Sequence, residues 1–269
     1  MIFNSALLSL KLNYFCSRMT VDLPYDDIAV LKKFDPISLA EMDEVRLMNR
    51  TDTKFVFKRS DLPDFLEKLK TNYRVLNIEG HLISSYKTLY FDTTDFQFFI
   101  DHHNGKGNRY KVRIRNYVES GLFFLEIKNK YKDRTIKHRI GVEDFQMNLD
   151  AKSKSYINAV IGEDVILESK LWNNFKRITL VSRNDNERLT LDLGLSFDWQ
   201  DRKVEYDEIV VAELKQEYAN RESIFYSLMK KNQIRPNGMS KYCVGSVGLY
   251  PDLKYNNFKE KILLIEKLI

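Results

Sequence analysis

Arg109-Tyr110-Lys111-Val112-Arg113-Ile114-Arg115 carries a full positive charge at every second position, with aromatic or β-branched residues between. Successive side chains of a β-strand point to opposite faces. The segment therefore reads as a strand with four cations on one face and Tyr110, Val112 and Ile114 on the other. Such a face is compatible with water on a half-buried sheet. The constraint on the fold comes from repetition, because other segments show the same alternation with carboxylates mixed in.

In residues 50–57, Arg50, Asp52 and Lys54 share a face opposite Thr51, Thr53, Phe55 and Phe57. Residues 122–130 align Glu126, Lys128 and Lys130, and residues 135–142 align Lys137 and Arg139. Arg188, Thr190 and Asp192 oppose Leu189, Leu191 and Leu193, and Glu213 joins Lys215 in residues 209–215. With further strands expected at 84–93 and 176–183, the pattern implies about seven antiparallel strands. Amphipathic helices are expected at 38–48, opened by the Ser38-x-x-Glu41 capping box, and at 60–71, 150–175, 221–232 and 255–269.

Taken alone, the strands fit a sandwich with charged faces outward as well as a barrel with charged faces inward. The helices favour the barrel, since one-sided helices need apolar sheet surface to cover and the strands' other faces provide it. The expected fold is thus α+β, a closed antiparallel barrel with a charged lumen covered by helices; closure also removes edge strands. Buried cations are costly unless paired or hydrated, so a lumen lined by these residues must hold water and polyanion. Phosphate is the matching ligand, because arginine forks grip its oxygens in pairs and lysine acts as a point charge. Asp52, Glu126, Asp192 and Glu213 stand among these cations either as counter-charges or, in part, as ligands for Mg²⁺ or Mn²⁺.

The remaining composition is that of an ordinary globular chain, 43% hydrophobic and 30% charged, with a net charge of +5. Cys16 and Cys243 are far apart and read as free thiols of a reducing cytosol. His102-His103 have no companion at zinc spacing and read as part of a loop, as does Asn104-Gly105-Lys106-Gly107-Asn108. No segment approaches the roughly 18–20 apolar residues of a membrane span. Residues 1–18 lack a secretory pattern, and Met19 is a candidate true start; the expected location is cytoplasmic.

The ordered set Arg50-x-Asp52-x-Lys54, Leu89-Tyr90-Phe91-Asp92-Thr93, Arg113-x-Arg115, Glu126-x-Lys128, Glu213-x-Lys215 and Ser240-Lys241-Tyr242 resembles the vacuolar transporter chaperone (VTC) domain. That domain is the polyphosphate polymerase branch of the CYTH-like triphosphate tunnel metalloenzymes. The resemblance implies an eight-stranded tunnel barrel that binds ATP and polyphosphate with Mn²⁺ or Mg²⁺ and moves the γ-phosphate onto a growing chain. It assigns Lys54, Arg113, Arg115, Lys128 and Lys241 to the reacting phosphates. Arg50, Arg109, Lys111, Lys137, Arg139, Arg183, Arg188, Lys215 and Ser240 become further phosphate contacts, and Glu213, Glu126 and Asp52 candidate metal ligands. The implied organisation is an N-terminal extension at 1–37, the tunnel domain at 38–250, and a C-terminal helix at 251–269 packing on or plugging the tunnel and open to a protein partner.

Two features depart from the family pattern. Arg50 stands where the hydrolysing tunnel enzymes begin an E-x-E-x-K strand, which argues against hydrolysis. Gly238-Met239 precede Ser240 where the fungal polymerases carry a further lysine, which counts against efficient synthesis and leaves phosphate binding untouched. A triphosphate hydrolase and a non-catalytic polyphosphate-binding module remain the alternatives. Nucleic acid is disfavoured because the interleaved aromatics are expected on the face opposite the cations, where bases could not stack while phosphates meet arginines.

Overall fold

The computed structural model describes residues 29–44, 51–132 and 134–269. Residues 1–28, with Cys16 and Met19, the end of the helix expected at 38–48, and Arg50 lie outside the described residues.

The alternating segments form one antiparallel sheet. Its path runs β2-β11-β9-β8-β4-β5-β6-β7, where β2 is Thr51–Lys58, β4 Ser84–Asp92, β5 Asn108–Tyr117, β6 Leu122–Tyr131, β7 Arg134–Val142, β8 Glu168–Ser182, β9 Glu187–Trp199 and β11 Ile209–Gln216. β10 (Arg202–Tyr206) extends the sheet from β9, and β3 (Tyr73–Leu76) from β8, with the short β1 (Pro36–Ile37) parallel to β3. The expected closure is corrected: among the described residues no pairing joins β2 to β7, so the sheet is a curled, open half-barrel. Residues 134–137 of β7 are exposed. They offer Arg134, Thr135 and Lys137 with Ile136 as the single apolar side chain, which is no continuous apolar seam to drive a last pairing with β2.

Alternation sorts the side chains as expected on the convex face. Phe55, Phe57, Leu189, Leu191 and Leu193 pack under α2 (Leu62–Leu69) and α5 (Ile224–Lys231), joined by Phe65, Leu66, Phe225 and Met229. Leu89, Val112, Ile114, Leu125 and Ile127 pack under α4 (Ala151–Ile161) through Ile157. At the start of the described chain, α1 (Leu39–Glu44) opens on the expected capping box: the Ser38 amide donates to Glu41 Oε2 at 2.9 Å and the Glu41 amide to Ser38 Oγ at 3.3 Å.

Two local expectations are corrected, and two further features add to the expected pattern. The stretch 150–175 is helical only over α4, and a strand begins at Glu168. His102-His103 end a helix, α3 (Gln97–His103), whose first turns donate the Phe98 and Phe99 amides to the buried Asp92 carboxylate at 2.8 and 2.9 Å. Residues after Ser240 form α6 (Lys241–Leu249), followed by α7 (Lys259–Leu268). β9 continues past Leu193 because Gly194 adopts φ +56°, a left-handed conformation that glycine accepts without strain. That bulge shifts Leu195 and Phe197 off the convex core. They join Val56, Tyr90, Phe175 and Val211 on the concave face, where α6 and α7 cover them through Tyr242, Val244 and Ile265.

Gly245 of α6 sits against the Phe197 ring, and a Cβ there would stand 2.3 Å from Phe197 Cδ1. Alanine at this helical position gains up to ~1 kcal/mol of propensity, but overpacking costs about 1–3 kcal/mol. Gly245→Ala is therefore expected to lower stability by a net ~1–2 kcal/mol, read from the midpoint of denaturant unfolding; a stabilised variant would contradict this packing of α6.

Candidate functional site

The concave face holds a cavity of about 330 Å³ between the two free sheet edges and the start of α6. Asp52 and Lys54 line it from β2, Arg109 and Lys111 from β5, Lys128 and Lys130 from β6, and Thr135 from β7. Gly238, Met239, Ser240, Cys243 and Val244 line it from α6 and the loop before it, and His102, Phe258 and Lys261 complete the wall. Six of the lining residues are lysine or arginine, and Asp52 is the one carboxylate. The loop is tied to β2 at both ends of one residue: the Asn237 amide donates to the Lys54 carbonyl at 2.7 Å, and Lys54 Nζ donates to the Met239 carbonyl at 3.0 Å. Ser240 caps α6 by accepting from the Cys243 amide at 3.3 Å. The helix thus presents its N-terminal amides and its positive dipole end to this space, an arrangement that favours anions.

Next to the cavity lies a second set of charges, neutralised within the protein. Arg177 Nε and Nη2 meet the two Asp192 oxygens at 2.5 and 2.8 Å, and Lys241 Nζ bonds the same carboxylate. Arg113 grips Glu126 at 2.6 Å and donates to Tyr90 Oη at 3.2 Å, while Tyr117 Oη donates to the other Glu126 oxygen at 3.1 Å. Lys215 pairs with Glu213 at 3.0 Å. Arg115 is buried over Tyr86 and Phe175, and its Nε donates to Thr88 Oγ1 at 3.3 Å.

Of the residues expected to meet phosphate, Lys54, Lys128, Arg109, Lys111 and Ser240 therefore border the cavity. Arg113, Arg115, Lys241 and Lys215 stand beside it in the paired or stacked set. Lys137 and Arg139 lie on exposed β7, Arg139 over the Phe124 ring at 4.8 Å. Arg188 faces Lys215 across the β9–β11 ladder. Arg183 is drawn away to Asp35 at the far end of the sheet.

Sequence reasoning missed Arg177 as the β8 cation of the charged face, and it missed Lys261 and His102. Lys176-Arg177 offers one cation to each face, and only the register Arg177↔Asp192 selects which turns inward. The separation of aromatics from cations is also corrected. It holds for Tyr110 of β5, but Tyr86, Tyr90, Phe124 and Phe175 share the concave face with Arg115, Arg113, Arg139, Arg177 and Lys241. These rings carry guanidinium and ammonium groups on their faces.

Crowded, desolvated cations set the electrostatics. Burial, reinforced by Lys128, Lys54 and Arg113, pushes Lys111 down to about 7. Burial lowers Lys128 as well, with Lys54 adding to it. Burial brings Lys215 and Lys241 each down to about 8, in spite of Glu213 and Asp192. The acids respond in the opposite sense. Burial pushes Glu126 up, yet Arg113 and Arg115 outweigh it and hold the carboxyl at about 2. Asp192 is likewise held far below the usual carboxylate range, where burial is outweighed by Arg177 and Lys241. Burial and the nearby Lys111 and Arg109 keep the His102 ring neutral, with a pKa of about 2.

Among the described residues no three His, Cys, Asp or Glu side chains converge as a metal cage. Glu126 and Asp192 are engaged by arginine and lysine. Glu213, which pairs with Lys215, and Asp52 lie on one face of adjacent strands, with Glu213↔Lys54 and Lys215↔Asp52 in register. Two carboxylates on a diagonal suit a divalent ion that takes its other oxygens from phosphate and water, as Mg²⁺ commonly does.

Comparison with known proteins gives one sequence-level match. A family model of the VTC domain matches residues 49–250, and no curated protein matches the chain in sequence. Solved structures with a similar chain trace include a candidate adenylyl cyclase from Hippeastrum, described as revealing a dominant triphosphatase activity, at 14% identity and a TM-score of 0.48, covering 78% of this chain and 100% of that one. A candidate adenylate cyclase from Bacillus halodurans aligns at 12% identity and a TM-score of 0.44, covering 72% of this chain and 96% of that one.

Asp192→Asn leaves Arg177 and Lys241 buried without a counter-charge, a loss of about 3 kcal/mol; chemical denaturation should show it, and an unchanged midpoint would mean the triad is solvated. Anion binding should also weaken with rising pH. An anion raises the pKa of each lysine near it, whether it borders the cavity as Lys111 does or stands behind it as Lys215 and Lys241 do, so above the free values of about 7 and about 8 binding must take up protons. Tripolyphosphate affinity, followed calorimetrically, is expected to fall about tenfold between about pH 6.5 and about pH 9. Lys111→Arg, which does not titrate there, should flatten the profile; identical profiles for the two proteins would remove Lys111 from the site.

Proposed function

The chain belongs to the VTC domain family, and on that premise we propose that it is a polyphosphate polymerase, transferring the γ-phosphate of ATP to a growing polyphosphate chain with the aid of Mn²⁺ or Mg²⁺. The observation that carries this reading is the cavity itself, six cations around a single carboxylate at the N-terminus of α6. Phosphoryl transfer needs little covalent chemistry from the protein; it is mainly positioning and neutralisation of oxygen charge. Lys54, Lys111, Lys128 and Arg109 bind phosphate oxygens directly. Arg113, Arg115 and Lys241 stand behind them, oriented by Glu126, Thr88 and Asp192. Glu213 with Asp52 would hold the divalent ion, which supplies charge neutralisation where phosphates meet it.

Transfer is favoured over hydrolysis by the scarcity of bases. His102 at about 2 is too weak to activate water near neutral pH, and Glu126 and Asp192 are held in ion pairs. Asp52, bordering the cavity, is the observation that keeps a triphosphatase as the second reading. Nucleic acid is not part of the proposal.

Incubating the protein with ATP and Mn²⁺ or Mg²⁺ and resolving the products on a gel separates the readings. Long polyphosphate with ADP is expected, and Glu213→Gln should slow its formation on the order of 10²-fold, the scale of losing a charge-stabilising group. Orthophosphate without chains, abolished in Asp52→Asn, would replace the polymerase by a hydrolase. Salt-sensitive polyphosphate binding without turnover would reduce the protein to a binding module.

A further inference from the structure

The cavity is not built from the family-matched region alone. Residues 251–269 lie beyond the match at 49–250, yet Phe258 and Lys261 line the cavity together with Lys54, Lys111 and Lys128. The segment that carries them is fixed in place. The Asn257 side-chain amide donates to the His103 carbonyl at 2.8 Å, and its backbone amide to His103 Nε2 at 3.3 Å. The Phe258 ring packs edge-on against Phe99 with centroids 5.7 Å apart, and Ile265 is buried under the same cluster as Tyr242. These contacts hold the first turn of α7 over the loop that precedes α6. An added Cβ at Gly238 would lie 3.8 Å from Lys261 Nζ, so this ammonium stands in contact range of the loop at Gly238.

Lys261 also differs from the neighbouring paired lysines. Lys241 is committed to Asp192 and Lys215 to Glu213. Among the described residues no carboxylate pairs with Lys261, whose ammonium stands 5.9 Å from the centre of the Phe258 ring. A cation held in position, bordering an anion cavity and without an internal counter-charge keeps its attraction for a ligand.

We propose that Lys261 is a phosphate-binding residue of the cavity, delivered by a C-terminal helix that forms part of the site's wall. The proposal rests on the reading of the cavity as a polyphosphate site and adds a ligand contact from outside the matched region. It implies that chains sharing the matched region but lacking this helix bind polyphosphate less tightly.

The test is calorimetric titration of inorganic tripolyphosphate into the full chain at two salt concentrations. Lys261→Gln is expected to weaken affinity about 3- to 10-fold, the scale of one lost charge-assisted contact, and to make binding less salt-dependent. Lys261→Arg should retain most of it. Lys259→Gln is the control, with the same charge change on an exposed residue of the same helix, and should leave affinity within about 1.5-fold. Thermal unfolding of each variant should match the parent, since Lys261 makes no buried ion pair. If Lys261→Gln binds as the parent does while Lys128→Gln weakens binding, the proposal fails and the cavity reading stands. If the parent does not bind tripolyphosphate, the cavity reading falls and takes the proposal with it.

Discussion

Asp192, buried between Arg177 and Lys241, is the interaction on which the concave face depends. Each of these charges would be costly alone in this environment, since desolvating an ion costs several kcal/mol unless a partner and hydrogen bonds compensate. Together they join three elements. Arg177 comes from β8, Asp192 from β9 and Lys241 from the first residue of α6. The ion triad therefore fixes where the helix begins, and with it the loop through Gly238 and Met239 that borders the cavity. A second anchor acts on the next residue, where Tyr242 Oη bonds the buried Asp92, which also accepts from the Thr93 amide and from the Phe98 and Phe99 amides of α3.

The result is a division of labour among cations. Those matched by carboxylates, Arg113, Arg177, Lys215 and Lys241, give the sheet its shape and hold the helix. Those bordering the cavity, including Lys111, Lys128, Lys130 and Lys261, have no carboxylate partner among the described residues. Their mutual repulsion and desolvation are visible in the lowered pKa of Lys111 and Lys128. A polyanion would relieve both costs at once, which is the physical basis of the polyphosphate reading proposed above.

Much of this was legible before folding was considered. Alternation with a period of two located most of the sheet path, and assigned Phe55, Leu189, Val112 and Ile114 to the face that helices cover, because a strand has only two faces and the apolar one must leave water. The ordered motifs pointed to the family for the same reason: they place cations and acids at positions where a strand must project them inward. The misses have local causes. The Glu168–Phe175 stretch mixes polar and apolar residues without clear period, since part of it faces the apolar end of the concave side rather than the charged one. Past Gly194 the face assignment reverses at a bulge that a simple count of residues does not register.

The sequence by itself determined that one sheet face would be rich in cations and that the other would be covered by helices, and it raised phosphate as the expected ligand; these follow from side-chain chemistry repeated at strand spacing. Tertiary structure decided which cations are neutralised and which border the cavity, because pairing depends on register across strands, as with Arg177 rather than Lys176 or Arg183. It decided that the sheet stays open between β2 and β7, because closure needs a complementary seam that exposed, charged β7 does not offer. It also brought Lys261 to the space above Gly238, two positions far apart in sequence with no periodicity to link them. Only the packing of α7 on the end of the half-barrel could place that charge there.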